Sequence, residues 1–396
     1  MEDIILFDGQ LHQGLLPLTF TRPVSYIRVG IFTIKEKWEK HLGTSIGVRS
    51  KDYLSNKYNS IETEVRLGIS AGLLPDSELT LALQRLEDQS ILMKDNKVLA
   101  ITPIPANDDE LEEKLNQYQV INYEADVNII ERPHDVFILN GIEIEKDFEL
   151  IKDETNSIGP DSSNTILGDQ LIIEEGAKVR ASIINSEEGP VYIGKNAEVM
   201  EGSMIKGPFA LLDHGVVKMG SKIYGSTTFG PYCKVGGEVN NSVILGYSNK
   251  AHDGYLGNSV IGEWCNLGAD TNTSNLKNNY GNVKVWSYKE NDVIDTGTQY
   301  CGLTMGDHSK CSINTMFNTG TVVGVFANVF DAGFPPKHIP SFSWGGKRGM
   351  TTYKIEKAIE LAELVMSRRE VDLSKEDKEL LKLLHNLTDT HRNFDQ

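Results

Sequence analysis

Polar side chains that could bind or transform a small molecule are concentrated between residues 249 and 275. The segment contains Asn249, Lys250, His252, Asp253, Tyr255, Asn266, Asp270, Asn272 and Asn275. It is followed by about thirty residues, 274–304, that interrupt a regular repeat and include Tyr280 and Trp286. A loop this long inside a tightly repeating fold is usually functional. We therefore expect the chemistry of the chain in this region.

The elements around this segment follow a six-residue repeat. A bulky apolar residue stands at every sixth position in Ile193, Val199, Ile205, Leu211, Val217, Ile223, Phe229 and Val235, and again in Met305, Cys311, Phe317, Val323 and Val329. Neither a helix nor an ordinary strand has this period. Hexapeptide repeats of short strands and turns predict a parallel β-helix.

The regions before and after the repeat have other patterns. Strand-like runs, among them Ile4–Phe7 and Val136–Leu139, alternate with helical stretches such as Ile31–Leu42, which predicts an α/β domain with a mostly parallel sheet. Two amphipathic helices follow Tyr353, and we expect them to cap the open end of the coil. The predicted domains are residues 1–152, 153–350 and 351–396.

Composition and charge limit the classes of partner. The formal net charge of −17 argues against nucleic acid and anionic membrane surfaces, since phosphate groups require a basic surface. No signal peptide or apolar run of membrane-spanning length is visible, so we expect a cytoplasmic protein. The four cysteines form no CxxC pair, which indicates buried thiols and not a metal site.

Residues 250–276, KAHDGYLGNSVIGEWCNLGADTNTSNL, resemble the acetyltransferase signature of the bifunctional GlmU enzymes. These enzymes are N-acetylglucosamine-1-phosphate uridylyltransferases and glucosamine-1-phosphate acetyltransferases. The order of the predicted domains also resembles that family, an α/β nucleotidyltransferase-like domain followed by a left-handed parallel β-helix. The resemblance implies acetyl-CoA as co-substrate and a homotrimer whose active sites lie between subunits.

The resemblance also assigns roles to particular residues. His252 would be the general base that accepts a proton from the sugar amine, a role that suits an imidazole at cytoplasmic pH. Ala269 would line the path of acetyl-CoA. The sugar phosphate would be bound by Lys222, Tyr255, Asn266 and Asn275.

Two positions depart from the family pattern. Counting back from His252 without gaps places Lys222 and Asn240 at two positions that are usually basic, so one positive charge is missing. Leu276 stands where a tyrosine is common. Both departures concern the choice of glucosamine-1-phosphate as acceptor more than acetyl transfer itself.

The N-terminal domain carries half of a nucleotide-binding motif. Pro17–Pro23 resembles the second half of the phosphate loop of sugar-nucleotide pyrophosphorylases, whereas Gln10–Gly14 lacks the glycines and the arginine of the first half. Arg22 and Arg28 would then bind the nucleotide phosphates. The resemblance implies Mg²⁺, with Asn140 as one ligand, but no carboxylate ligand is evident after Val65–Ile69.

The leading hypothesis is a bifunctional enzyme that makes UDP-N-acetylglucosamine by acetyl transfer and uridylyl transfer. One alternative is nucleotidylyl transfer alone, from UTP or dTTP to glucose-1-phosphate, with a β-helix that serves assembly. Another is a non-catalytic trimeric scaffold that binds a sugar nucleotide. A zinc site of the β-helical carbonic anhydrase kind, on His214, His252 and His308, is disfavoured because none has a second histidine a few residues away.

Overall fold

The computed structural model describes residues 3–61 and 63–394, and its internal contacts divide the chain into two units. The α/β unit comprises Met1–Ile27 and Phe32–Asp135, and the β-helix unit comprises Arg28–Ile31 and Val136–Gln396. This division falls before the boundary at residue 152 that the sequence predicts. The difference arises because a long helix, Pro133–Ile151, contributes most of its residues to the β-helix unit.

The α/β unit contains one six-stranded mixed sheet with strand order β2-β1-β3-β5-β4-β6. Its strands are β1 (Ile4–Phe7), β2 (Gly47–Arg49), β3 (Leu67–Ser70), β4 (Ser90–Lys94), β5 (Lys97–Thr102) and β6 (Gln119–Asn122). β1 lies parallel to both β2 and β3, whereas β5 is antiparallel to β3 and β4. The carboxyl ends of β1, β2 and β3 therefore meet at one edge of the sheet.

The α/β unit contains five described α-helices. They are α1 (Leu11–Gly14), α2 (Ile34–Leu42), α3 (Ser55–Tyr58), α4 (Ser77–Gln84) and α5 (Asp108–Lys114). Of these, α2, α4 and α5 begin at a capping side chain, from Thr33, Asp76 and Asn107 respectively. The helix α2 starts at Ile34 and not at Ile31, because Thr33 and Glu36 form a capping box. It ends at Gly43, which has a φ of 66°.

The predicted strand Val136–Leu139 is wrong, since these residues belong to helix α6 (Pro133–Ile151). Val136, Phe137, Ile144 and Phe148 are buried, which is the spacing of one helical face. A short apolar run has the same pattern in a strand and in a buried helix, so the sequence alone did not distinguish them.

The β-helix consists of three parallel sheets that the chain visits in turn. The first sheet contains β7 (Thr165–Leu167), β10 (Ile183–Asn185), β13 (Met204–Lys206), β16 (Lys222–Tyr224), β19 (Glu238–Asn240) and β22 (Tyr255–Gly257). The second contains β8 (Leu171–Ile173), β11 (Val191–Ile193), β14 (Phe209–Leu211), β17 (Thr227–Phe229), β20 (Val243–Gly246), β23 (Val260–Glu263), β28 (Leu303–Met305), β31 (Thr321–Val323) and β33 (His338–Ile339). The third contains β9 (Lys178–Val179), β12 (Glu198–Val199), β15 (Val216–Val217), β18 (Lys234–Val235), β21 (Asn249–Lys250), β24 (Asn266–Leu267), β29 (Lys310–Cys311), β32 (Asn328–Val329), β34 (Ser343–Gly346) and the antiparallel β35 (Gly349–Thr352).

The predicted repeat residues form the core of this coil. All the hexad positions from Ile193 to Val235, and from Met305 to Val329, are buried in one apolar cluster inside the β-helix. The predicted fold class, an α/β domain followed by a parallel β-helix and C-terminal helices, is confirmed. The regular spacing ends after Val235, which pairs with Lys250 across a shortened coil.

The interruption of the repeat forms a side excursion. The two-stranded pair β25 (Asn272–Thr273) and β30 (Met316–Phe317) continues the coil on either side of it. Within the excursion, β26 (Lys284–Ser287) and β27 (Asp292–Asp295) form an antiparallel hairpin. Val283 and Val285 are buried, so the hairpin packs through part of its surface.

One corner of the β-helix carries a column of stacked rings, which we call the aromatic ladder. Its members are His214, Tyr232, Tyr247, Trp264, His308, Phe326 and Phe342. Every member has a positive φ between 52° and 60°. Successive ring centroids lie 4.2–6.3 Å apart with nearly parallel planes. The ladder thus holds a strained backbone conformation in place by ring stacking.

The two C-terminal helices lie against the β-helix in a way the prediction of a simple end cap did not describe. They are α7 (Ile355–Ser367) and α8 (Lys375–Leu387). Tyr353, just before α7, bonds to Phe342 in the last coil, whereas Arg369, just after it, donates to Asn249 in β21. Helix α7 therefore runs back along the third sheet. Within residues 3–61 and 63–394, no helix has both the length and the apolar content of a membrane span.

Candidate active site

His252 lies on an exposed turn between β21 and β22. Two glycines make the turn possible. Gly254 has a φ of 114°, and a Cβ there would lie 2.2 Å from the Thr271 carbonyl oxygen. Gly237 in the preceding coil has a φ of 77°, and a Cβ there would lie 2.9 Å from the His252 carbonyl oxygen. The turn is therefore packed between the neighbouring coils while the His252 side chain reaches solvent.

A buried lysine supports the same turn from inside the coil. Lys250 occupies a core register position and is only 2% exposed. Its Nζ donates a hydrogen bond of 2.6 Å to the carbonyl oxygen of His252. Burial lowers the pKa of Lys250 to about 8, although the nearby carboxylates of Asp253 and Asp270 act in the opposite direction. Lys250 takes the place that Val235 has in the preceding coil, but the regular hexads end at Val235 and so did not predict this position.

Tyr255 and Asn275 come together beside this turn. The Nδ2 of Asn275 donates to the Tyr255 hydroxyl at 3.1 Å and to Oδ1 of Asn258 at 2.7 Å. Burial raises the pKa of Tyr255, so its hydroxyl stays protonated and can donate to a ligand. Asn258 was missed by the sequence argument, although it directly follows the Tyr-Leu-Gly motif.

Asn266 and Ala269 lie elsewhere on the coil. Asn266 is exposed on the outer face of the third sheet, in register with Asn249, whereas Tyr255 belongs to the first sheet. Ala269 is half-buried in the turn after β24, and its carbonyl oxygen accepts from the Asn314 amide at 2.8 Å. One chain thus presents the predicted site residues on two different sheets.

Lys222 has an acidic neighbour that the sequence argument did not consider. The register of the first sheet places Glu238 between Lys222 and Tyr255 on successive strands. The Lys222 Nζ lies 3.8 Å from Oε2 of Glu238, and the Tyr224 hydroxyl donates to Oε1 at 2.6 Å. This hydrogen bond, together with burial, raises the pKa of Tyr224 to about 12. The predicted phosphate-binding charge is partly neutralised within the chain.

In the α/β unit, a buried network follows β1. The Asp8 carboxylate accepts from the Val24 amide at 3.0 Å and from the Ser50 hydroxyl, and lies 3.1 Å from Nδ1 of His12. The other ring nitrogen of His12 lies 2.7 Å from the Tyr53 hydroxyl. Burial, and then the charge of Asp8, raises the pKa of Tyr53. These residues replace the missing glycine-rich half of the loop with a short helix fixed by side chains.

The two predicted phosphate-binding arginines belong to different units. Arg22 is buried in the α/β unit. Arg28 belongs to the β-helix unit by its contacts, and its guanidinium donates to the carbonyl oxygen of Ile31. Neither is a fully exposed surface charge.

Asn140 does not fit the predicted role of magnesium ligand. It is fully buried, and its Oδ1 accepts from the Gly30 amide at 2.8 Å and from the Thr228 hydroxyl at 3.1 Å. Its Nδ2 donates to the Ser226 carbonyl oxygen at 3.0 Å. Because both lone pairs of the amide oxygen are in use, a metal ion would have to displace these bonds. No group of three or more histidine, cysteine, aspartate or glutamate side chains is arranged for a metal in the described part of the chain.

The structure defines a class of two-part protein, in which an α/β unit with a mixed sheet is joined to a parallel β-helix. Residues 4–156 match the family model described as sugar nucleotidyl transferase. The particular resemblance is to the Bifunctional protein GlmU of Methanocaldococcus jannaschii, at 32% identity over 213 residues, which cover 54% of this chain and 45% of that protein.

Two further proteins are similar to parts of this chain. A Bifunctional sugar-1-phosphate nucleotidylyltransferase/acetyltransferase of Sulfurisphaera tokodaii is 28% identical over 160 residues, or 40% of this chain and 37% of that protein. The crystal structure of the polySia specific acetyltransferase NeuO aligns with 50% of this chain and 87% of its own, at 11% identity and a TM-score of 0.27. The matched regions span 45% of the Methanocaldococcus jannaschii protein and 37% of the Sulfurisphaera tokodaii protein, less than half the length of either.

Proposed function

We propose that the protein is a bifunctional transferase that makes UDP-N-acetylglucosamine. The β-helix would transfer the acetyl group of acetyl-CoA to the amine of glucosamine-1-phosphate. The α/β unit would transfer a uridylyl group from UTP to the product. The observation that carries the proposal is the exposed His252 turn, which stands beside the Tyr255–Asn275 pair within the acetyltransferase signature.

In the acetyl transfer, the sugar amine attacks the thioester carbonyl carbon. His252 accepts the proton that the amine loses as the new N–C bond forms, and the C–S bond then breaks to release the coenzyme thiolate, which takes up a proton. The Tyr255 hydroxyl and the amides of Asn258 and Asn275 would orient the sugar by hydrogen bonds. Ala269 would border the path of acetyl-CoA, and Asn266 would act from the third sheet. Lys222 would contact the sugar phosphate.

In the uridylyl transfer, an oxygen of the sugar phosphate attacks the α-phosphorus of UTP, and diphosphate leaves. Arg22 and Arg28 would offset the phosphate charges. The family match over residues 4–156 supports this activity. The carboxyl ends of β1, β2 and β3, next to Asp8 and Ser50, support it as well, because open α/β sheets bind ligands at that edge. Asn140 gives Mg²⁺ no fitting site, because both lone pairs of its amide oxygen already accept hydrogen bonds.

One observation favours a second function. Glu238 pairs with Lys222 where the sugar phosphate would bind, and a carboxylate there repels a phosphate. In this alternative the α/β unit alone is active, as a sugar-1-phosphate nucleotidylyltransferase, and the β-helix serves assembly. We further propose a cytoplasmic homotrimer for either function.

Mass spectrometry distinguishes these functions. The purified protein is incubated with glucosamine-1-phosphate and acetyl-CoA, and separately with sugar-1-phosphates and UTP or dTTP. We expect both acetylated and uridylylated products. Changing His252→Ala should reduce acetylation by roughly 10²–10⁴-fold and leave uridylyl transfer unchanged.

The matched control is His214→Ala, which removes an exposed histidine from another corner of the β-helix. It should leave acetylation unchanged. Acetylation at the parental rate by the His252→Ala protein would refute the role of His252. Uridylylated product without any acetylation by the parent would establish the alternative.

A further inference from the structure

Four cations form a patch on the third sheet and the end of α7, which we call the basic patch. Its members are Lys218, Lys234, Arg368 and Arg369. The chain has 56 acidic and 39 basic side chains, so a surface cluster of one positive sign is unexpected. Other lysines of the β-helix have acidic partners, such as Lys195 with Glu174 and Lys206 with Glu188.

The fold brings the basic patch together from two distant segments. Lys234 begins β18, in register with Asn249 of the next strand. The Arg369 guanidinium donates to Oδ1 of Asn249 at 3.2 Å, across 120 residues of sequence. Neighbouring strands lie about 4.8 Å apart. The charges of Lys234 and Arg369 can therefore both reach one anion over Asn249.

Within the described residues, no ion pair neutralises the positive charges of the basic patch. The charges that act on Lys234 are those of Arg369, Lys218 and Arg368, all positive. They add to burial in lowering the pKa of Lys234. No ion pair joins a member of the patch to a carboxylate among residues 3–61 and 63–394. Like charges held together in this way are stabilised when an anion binds between them.

The basic patch borders the turn that carries His252. A Cβ on Gly236 would lie 2.6 Å from the carbonyl oxygen of Ala251, which precedes His252, and 3.1 Å from the Cβ of Lys218. Lys218 and the His252 turn therefore pack against the same glycine. A ligand phosphate bound at the patch would lie on the border of the candidate active site.

We propose that the basic patch binds a phosphate group of a ligand that reaches His252, with Lys234, Arg368 and Arg369 supplying the contacts. The binding of an anion rests on the patch alone, whereas the identity of the ligand rests on the proposed function. Two substrates of the proposed acetyl transfer carry a phosphate, glucosamine-1-phosphate and acetyl-CoA. The family signature does not include these residues, since two of them come from the segment after α7.

Isothermal titration calorimetry tests the proposal, with inorganic pyrophosphate, coenzyme A, 3′-dephospho-coenzyme A, glucosamine-1-phosphate and glucosamine as probes. The variants are Lys234→Gln, Arg368→Gln and Arg369→Gln, checked for folding by their melting temperatures. The matched control is Lys206→Gln, which removes a paired lysine of the first sheet. We expect each patch variant to weaken binding of pyrophosphate about 5- to 50-fold and the control to leave it unchanged.

The paired probes identify the source of the phosphate. A loss confined to coenzyme A, and absent with its 3′-dephospho form, assigns the patch to the coenzyme. A loss confined to glucosamine-1-phosphate, and absent with glucosamine, assigns it to the sugar. Parental affinities for every probe in both Lys234→Gln and Arg368→Gln would overturn the proposal. If the parent binds pyrophosphate through the patch but acetylates nothing, the proposed function fails and the anion site stands.

Discussion

Lys250 is a charged residue at a core position of the β-helix, and its single described hydrogen bond goes to the His252 carbonyl oxygen. Burying an ammonium group is costly unless it is well bonded. A nearly isosteric apolar side chain would remove that cost and would also leave the carbonyl without its donor. The residue therefore matters for the geometry of the turn more than for the stability of the coil.

We expect Lys250→Met to lower the kcat of acetyl transfer roughly tenfold, because a displaced turn misaligns His252 with the amine. The melting temperature should change by only a few degrees. Steady-state kinetics and thermal unfolding measure the two effects. The substrate KM should change little, since Lys250 does not face the ligand.

Lys310→Met is the matched control for this change. Lys310 is half-buried, and its Nζ donates to the carbonyl oxygen of His308 at 3.0 Å. His308 belongs to the aromatic ladder and not to the candidate active site. Equal losses of kcat in the two variants would mean that Lys250 acts only through the stability of the coil.

At the scale of structural elements, the aromatic ladder is where backbone strain is most evident. Tyr247 is stacked between Tyr232 and Trp264, with centroid distances of 5.1 and 4.2 Å. Its φ of 52° is unfavourable for any residue with a side chain, so the stacking must compensate for backbone strain.

We expect Tyr247→Ala to destabilise the β-helix by roughly 2–4 kcal/mol, because it removes two ring contacts and retains the strained backbone. Tyr247→Phe keeps both contacts and should unfold within about 1 kcal/mol of the parent. Denaturant unfolding followed by circular dichroism measures the difference. A loss of stability in Tyr247→Phe as large as in Tyr247→Ala would contradict a stacking role.

The sequence predicted the elements that repeat and missed those that depend on distant contacts. The hexads placed Ile193 to Val235 in the core because each coil obeys the same local geometry. They could not place Lys250, whose partner is a backbone carbonyl in an irregular turn. The Asp8–His12–Tyr53 network joins residues 41 positions apart, and Asn140 bonds across 110 positions to Gly30. No spacing rule reveals such pairs.

At the scale of the whole molecule, the first sheet presents apolar side chains on its outer face. Leu167, Ile183, Met204 and Tyr224 are 37–43% exposed there, on the outer face of successive strands of the sheet. Cyclic packing of three chains would remove such a face from water. This surface supports the proposed trimer.

We expect the double change Ile183→Glu and Met204→Glu to yield monomers, because it buries two like charges in the subunit contact. Light scattering measures the molar mass. Met219→Glu is the control, since Met219 is also exposed but lies in a turn outside the sheet. A parental protein that is monomeric at micromolar concentration would contradict the trimer directly.

The pH dependence of stability should reflect the neighbouring histidines His338 and His391, whose ring centroids lie 6.3 Å apart. Burial, with the neighbouring His391, lowers the pKa of His338 to about 4, and burial also lowers that of His391. Unfolded histidine titrates near 6.5. The unfolded chain therefore binds protons first, so stability is full above about pH 6.5 and falls toward pH 4, by at most about 3 kcal/mol for His338.

Denaturant titrations between pH 7.5 and 4.5 measure this loss. His338→Phe should make the dependence shallower, because phenylalanine keeps the stacking on Trp286, now 4.4 Å between centroids, and has no proton to bind. An unchanged slope in His338→Phe would assign the pH effect to other groups.

The course of α7 has a mechanical consequence. Its 13 residues extend about 20 Å, which matches four strand spacings, from the last coil back to Asn249. A force applied to the C-terminus would load α8 and then α7 before it loads any strand of the third sheet. The coils from β21 to β34 should consequently resist unwinding until α7 has peeled away, so extension by optical tweezers should begin with one short step and only then proceed coil by coil.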